Sequence, residues 1–352
     1  MQLTTLRGVY EAQGPFATVY LEARSPAADA EDQLRLRWQD LRSQLADAGT
    51  PDEALTALDE ALAEATPTEV HAEGRVLVAD QTRVVLNEHF DAAQGSGDLA
   101  VVGEPPQLGD YVRHRLGSAR MLVAIADQQQ AVIRRLVVAG DELLASGAEE
   151  SVEGSSVESV HKPREGALSH KQIQRSADEA AIQNIRDISA RVAKIADSWH
   201  PDVIVIAGEG QGRRTLHEEL PKALQELTVE AEAGGGIPSG HGDEGTEQSL
   251  SDELTVIARR VVIQRGKDQT ERYGEAHGHG RSAEGAEAIR AAVRLGAVET
   301  LLLRQQEKAT DEDELLAAAA SVGASVGILG TPAQDSVAAI LRYEAPVEDV
   351  AD

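Results

Sequence analysis

Cysteine is absent from the chain. That excludes a disulfide framework, a thiolate metal site and a cysteine nucleophile. Aromatics are nearly absent: two Phe, two Trp and five Tyr among 352 residues. The cores must therefore be built from Ala, Val, Leu and Ile. Lysine is scarce too, and positive charge is carried mostly by Arg, a compositional bias with no functional content of its own. No apolar run approaches the roughly 20 residues that a membrane-spanning helix needs. Met1 to Arg7 lacks the apolar stretch of a secretory signal. These absences predict a soluble, cytoplasmic protein with no membrane partner.

What is present is acid. Asp and Glu number 60 against 33 Lys and Arg, a formal net charge of −27. Such a surface keeps a protein soluble and opposes nonspecific nucleic-acid binding, but it does not exclude a local basic patch. The length implies two or three domains, and 41% hydrophobic residues suffice for their cores. Strands alternating with helices predict an α/β fold.

The first domain is expected over residues 1–115. It opens with the strand Phe16–Leu21, and Leu34, Trp38, Leu41 and Leu45 follow at helical spacing. Thr50-Pro51-Asp52-Glu53 reads as a capped helix start with Thr50 as cap. Strands are expected at Arg75–Ala79 and Arg83–Leu86, and the Gly- and Pro-rich stretch Ala92–Asp110 reads as a long loop. The middle domain, 116–232, begins with the hairpin Met121–Ala126 and Ala131–Val138. A long helix with the stripe Ile185, Ile188, Val192, Ile195 and Trp199 ends at Pro201. The apolar strand Val203–Ile206 follows, then a helix through Leu216, Leu220 and Leu224 and a strand near Leu227–Val229. A Gly-rich linker at 233–248 leads to a C-terminal domain, 249–352. Its helices are expected at Leu250–Arg265, Ala283–Leu295 and Asp313–Ser321, and its strands at Val298–Leu303, Ser325–Leu329 and Val337–Tyr343.

Three places could carry chemistry. Gly208-Glu209-Gly210-Gln211-Gly212 follows a buried strand and opens a helix, the position of a phosphate-cradling loop. It would make the chain a nucleotide-dependent enzyme, with Glu230 and Glu232 placed for a ribose. The third glycine of the dinucleotide fingerprint is Arg213, however, and Glu209 would repel a phosphate; an ordinary strand–turn–helix accounts for the same residues. His241, His277 and His279 could gather on an ion from an irregular loop, but no fixed third ligand is evident, so neither metal nor cofactor is expected. The third is a basic loop, His161–Arg175, preceded by the acidic stretch Ala148–Ser159. Lys162, Arg164, Lys171 and Arg175 against Glu165 give it a net +3. Concentrated positive charge is what phosphate contact requires. His161, His170, Gln172 and Gln174 add partners for bases and ribose hydroxyls. A solvated loop offsetting the acidic body accounts for the same charges.

The last third carries a resemblance. Ala283-Glu284-Gly285-Ala286-Glu287-Ala288-Ile289, then Leu295-Gly296-Ala297-Val298-Glu299-Thr300-Leu301-Leu302-Leu303 and the closing Ala338–Tyr343, resemble the C-terminal domain of archaeal and eukaryotic class-1 release factors and Pelota. The order of elements in residues 118–232 is similar to that family's middle domain. Gly14 to Tyr20 and His161-Lys162-Pro163 resemble the bacterial release-factor-like branch, which includes ribosome hibernation factors. The resemblance implies N, middle and C-terminal domains, the middle one ribonuclease-H-like and the last an α/β sandwich. It implies a factor that binds the A site of the 70S ribosome and its rRNA, delivered by a translational GTPase such as EF-Tu. In true release factors the middle-domain loop carries Gly-Gly-Gln, which places a water against the peptidyl-tRNA ester. Here Arg164–Arg175 lacks it, so the resemblance implies occupancy without peptide release and no catalytic residue. Hydrolysis by a lone glutamine, Gln172 or Gln174, is the alternative.

Overall fold

A computed structural model describes residues 1–22, 30–63, 74–89, 97–140, 142–145, 149–155, 170–233, 244–304 and 307–346. They form three sheets and the helices that pack on them, the α/β class expected.

The first elements are α1 (Arg7–Tyr10), β1 (Phe16–Leu21), α2 (Ala30–Asp47), α3 (Asp52–Ala63), β2 (Arg75–Ala79), β3 (Val84–His89), β4 (Leu99–Gly103) and α4 (Gly109–Gly117). The strands join in the order β3-β2-β1-β4, antiparallel throughout. Two expectations fail here. Thr50 does not cap α3: its hydroxyl is buried with no hydrogen-bond partner, and the Pro51 carbonyl accepts the first helical bond, from Leu55. The stretch Ala92–Asp110, read as a loop, contains β4 and the start of α4. Its Gly and Pro flank a short apolar run that pairs with β1.

The next elements are β5 (Ser118–Ala126), β6 (Gln130–Ala139), β7 (Glu142–Ala145), β8 (Glu150–Glu153), α5 (His170–Trp199), β9 (Val203–Gly208), α6 (Gly210–Glu219), α7 (Lys222–Gln225), β10 (Thr228–Glu230) and α8 (Glu244–Gly278). The sheet runs β10-β9-β5-β6-β7, with β8 also on β6. Alternation of period two sorts its side chains. Met121, Val123, Ile125, Val203 and Val205 meet Leu250, Leu254 and Ile257 of α8. Leu122, Ala124, Ile204 and Ile206 meet Ile185, Ile188 and Val192 of α5. Helices thus cover both faces, and β9 is buried at every residue. The helix expected through Leu224 is split at Pro221, which cannot donate and starts α7.

The last elements are β11 (Ser282–Glu284), α9 (Ala286–Arg294), β12 (Val298–Arg304), α10 (Glu312–Ser321), β13 (Ser325–Leu329) and β14 (Val337–Leu341). The strand order is β11-β14-β12-β13. One face packs on α9 and α10; the other takes Tyr273 and Ala276 from the last turns of α8.

The chain divides into two compact units. One is Gly117–Ile263; the other joins Met1–Leu116 to Gln264–Asp352. In the joined unit the first and last segments share a core: Leu3, Leu6, Val9, Tyr20 and Val112 lie in one cluster with Leu301, Leu315, Leu316 and Val326. A polar lock sits beside it. Arg113 of α4 donates to both carboxylate oxygens of Glu312 at 2.7 and 2.5 Å. The Gly109 amide donates to Asp313 at 2.6 Å, and Lys308 pairs with Asp110 at 3.0 Å.

Candidate nucleic-acid interface

α5 is set by its apolar stripe. Asn184 and Ile185 are buried, and no residue from Glu179 to Gln183 is. The helix backbone continues to His170. At 1.5 Å per residue that places His170 about 21 Å along the axis from Asn184.

Asn184 lies level with the end of the sheet. The Gly154 amide, just past β8, donates to the Gln129 carbonyl in the β5–β6 turn at 2.9 Å. A Cβ on Gly154 would stand 2.2 Å from the Asn184 side chain, so the chain crosses α5 there only as glycine. Ser155 then donates from its amide (3.0 Å) and hydroxyl (2.6 Å) to Asp187. Those two bonds, the hydroxyl's first, hold the Asp187 carboxyl below its ordinary range. α5 therefore runs about 20 Å along its axis past the residue that meets the strand end, and Ser155 is fixed to α5 at Asp187.

His161, Lys162 and Arg164 lie outside the described residues. His170, Lys171, Gln172, Gln174 and Arg175, expected in a loop, are in the opening turns of α5. Lys-Gln-Ile-Gln-Arg followed by Ser-Ala-Asp-Glu-Ala-Ala favours a helix.

The electrostatics of this helix end are inverted. Helix N-termini carry partial positive charge and are normally matched with acid. α3 opens with Asp52 and Glu53, and α10 with Glu312, Asp313 and Glu314, whereas α6 and the short α7, like α5, open without acid. α5, in a chain with 60 acidic residues, has no acid in its first turn, and the sequence places Lys171 there. Dipole and side-chain charge add, and their sum favours an anion.

The other two candidates resolve differently. Gly208 has φ +105°, and a Cβ on it would lie 2.2 Å from the Ala126 carbonyl oxygen; a Cβ on Gly212 would meet the Asp127 backbone at 2.9 Å. These glycines let α6 close onto the β5–β6 turn, so their backbones are occupied by protein. Gly208→Ala is expected to cost about 2–4 kcal/mol, read as a lower thermal midpoint with or without nucleotide. His277 sits in the last turn of α8, its Nδ1 3.0 Å from the Ser282 hydroxyl, not on the irregular loop expected; His279 follows the helix, and His241 is outside the described residues. No helix among the described residues is long and apolar enough to cross a membrane.

The family described as bacterial archaeo-eukaryotic release factor family 2 matches residues 120–279, a span running from β5 through α8. The chain thus resembles the bacterial release-factor and Pelota-like branch. An uncharacterised protein of Mycobacterium tuberculosis, Rv2629, is 25% identical over 332 residues, covering 88% of this chain and 80% of its own. Among solved structures, Saccharomyces cerevisiae Dom34, a translation termination-like factor interacting with Hbs1, is 12% identical with a TM-score of 0.44, covering 76% of this chain and 75% of its own. Archaeoglobus fulgidus Pelota is 17% identical with a TM-score of 0.31, covering 77% and 79%.

Proposed function

We propose that the chain is a ribosome-associated translation factor of the release-factor type that occupies the A site without releasing peptide, in hibernation or ribosome protection. The observation that carries the reading is the inverted helix end. The first turns of α5 extend about 20 Å along the helix axis from Asn184 and carry Lys171 and Arg175 with no acid in the first turn, in a chain that is otherwise strongly acidic. A polyanion is the ligand such a tip selects, and the acidic body limits where else RNA can bind. α5 lies within residues 120–279, which match the bacterial archaeo-eukaryotic release factor family 2, and this supports the reading.

In this reading His161, Lys162, Arg164, His170, Lys171, Gln172, Gln174 and Arg175 contact rRNA near the peptidyl-transferase centre. Residues 1–115 face the decoding centre, and 249–352 face the side where a GTPase such as EF-Tu binds. The chain lacks Gly-Gly-Gln, whose glycines let a backbone approach the ester; occupancy without cleavage follows.

Pelleting with 70S ribosomes across a salt series tests this. The expected result is co-sedimentation at low salt, with log affinity falling against log salt at a slope of about −3 to −4, as four phosphate contacts would give. The peptidyl-tRNA ester stays intact. No pelleting above background at low salt overturns the reading.

A further inference from the structure

β4 is an unguarded edge. It pairs with β1, from Phe16 opposite Gly103 to Tyr20 opposite Leu99, and no other strand among the described residues joins it. Its residues are Leu-Ala-Val-Val-Gly, each half-exposed. Edge strands are normally blunted with charge, proline or a bulge, because their free N–H and C=O groups template pairing with another chain. The opposite edge, β3, follows that practice with Asn87, Glu88 and His89. β4 carries no such residue within its length.

Beside it α2 leaves a cleft of about 400 Å³, within the range of ordinary ligand pockets. Leu41, Leu99 and Ala100 line it, and Leu36 stands at its rim, 57% exposed. Three charges surround these. Asp98 is engaged within the fold, accepting from the Glu22 amide at 2.7 Å and from Arg37 at 3.1 Å. Asp40 is exposed and, among the described residues, accepts from the Gln44 amide at 2.9 Å. The cleft therefore has apolar walls, an exposed carboxylate at Asp40 and a strand edge along one side.

We propose that this groove receives an extended segment of another protein, with apolar and cationic side chains sharing every second position, as an added strand on β4. The added strand would satisfy the free backbone groups. Alternate side chains on one face would enter the cleft, where aliphatic groups meet Leu36 and Leu41 and a cation meets Asp40. Charge selects the occupant. A second copy of this chain would bring two bodies of −27 together against their mutual repulsion, whereas a basic segment is attracted by the whole surface.

The test uses the full chain and a labelled Thr-Val-Thr-Lys-Thr-Val-Thr peptide, with Val and Lys on one face, acetylated and amidated, read by fluorescence anisotropy and amide hydrogen exchange. Saturable binding is expected, with exchange slowed at Ala100 to Val102 and unchanged along β3. Asp40→Lys, at an exposed position, weakens binding about tenfold and shifts preference to the Val and Glu counterpart. Leu36→Ser weakens both peptides. Absence of saturable binding, protection elsewhere, or equal affinity in Asp40→Lys overturns the proposal. Concentration-dependent dimerisation with β4 protected and no peptide present also overturns it, in favour of a second copy.

Discussion

Changing Lys162, Arg164, Lys171 and Arg175 to glutamate is expected to lower 70S affinity on the order of a hundredfold at ~0.1 M salt and to flatten the salt dependence. Each cation lost from a phosphate contact costs roughly 0.5–1 kcal/mol, and four of them give about 2–4 kcal/mol. Reversal adds repulsion, so the residual slope against log salt approaches zero. Folding should not suffer. Lys171→Glu puts acid where the α5 dipole favours it, so the far-ultraviolet circular dichroism and thermal midpoint should hold or rise. A control reversing the exposed cations Arg214, Lys222, Arg260 and Lys267 keeps the same total charge change and should leave much of the affinity. Equal loss in both variants would assign binding to net charge and not to the α5 tip.

The parts of this molecule that were legible in the sequence are those governed by short-range periodicity. The stripe from Ile185 to Ile195 predicted α5, and the unbroken apolar run at Val203 predicted a strand covered on both faces; Ile204 and Val205 indeed face opposite helices. α8 was read too short because its buried face changes. Leu250, Leu254 and Ile257 serve one core and Tyr273 and Ala276 another, with no buried residue from Arg259 to Arg272 to carry the period across. β4 was missed because five apolar residues between turn formers have no period. The basic segment was visible as charge. Its placement at the end of a long helix was not, since that depends on where α5 stops touching the sheet.

The pairing of Arg113 with Glu312 had no sequence signal at all, because the residues lie 199 positions apart, and it supplies the second large effect. The Glu312 side chain is 1% exposed and that of Arg113 17%. Glu312→Ala strands a guanidinium beside the shared core, removing its charge partner while the Arg304 and Glu307 carbonyls still accept from it. The cost should be about 3–4 kcal/mol, and for a unit of this size about 2–4 °C of thermal midpoint per kcal/mol. Glu312→Gln keeps an acceptor and should lose about half as much. Its neighbour should behave in the opposite way. Burial raises the Asp313 carboxyl above its ordinary value of 3.8, with Glu312 adding repulsion, while the Gly109 and Leu108 amides and Lys308 pull it down. A carboxyl raised on folding favours the folded state at low pH. That contribution is lost as pH rises from the ordinary value through the raised one. Asp313→Asn keeps the acceptor for Gly109 and removes the buried charge, so at neutral pH it should be close to neutral or stabilising. Below about pH 4 the wild type should regain the difference. Melting curves of the three variants across pH decide this. If Asp313→Asn destabilises as much as Glu312→Ala at pH 7, the lock is held by charge at both carboxylates, and the burial cost at Asp313 is outweighed by Lys308 and the two amides.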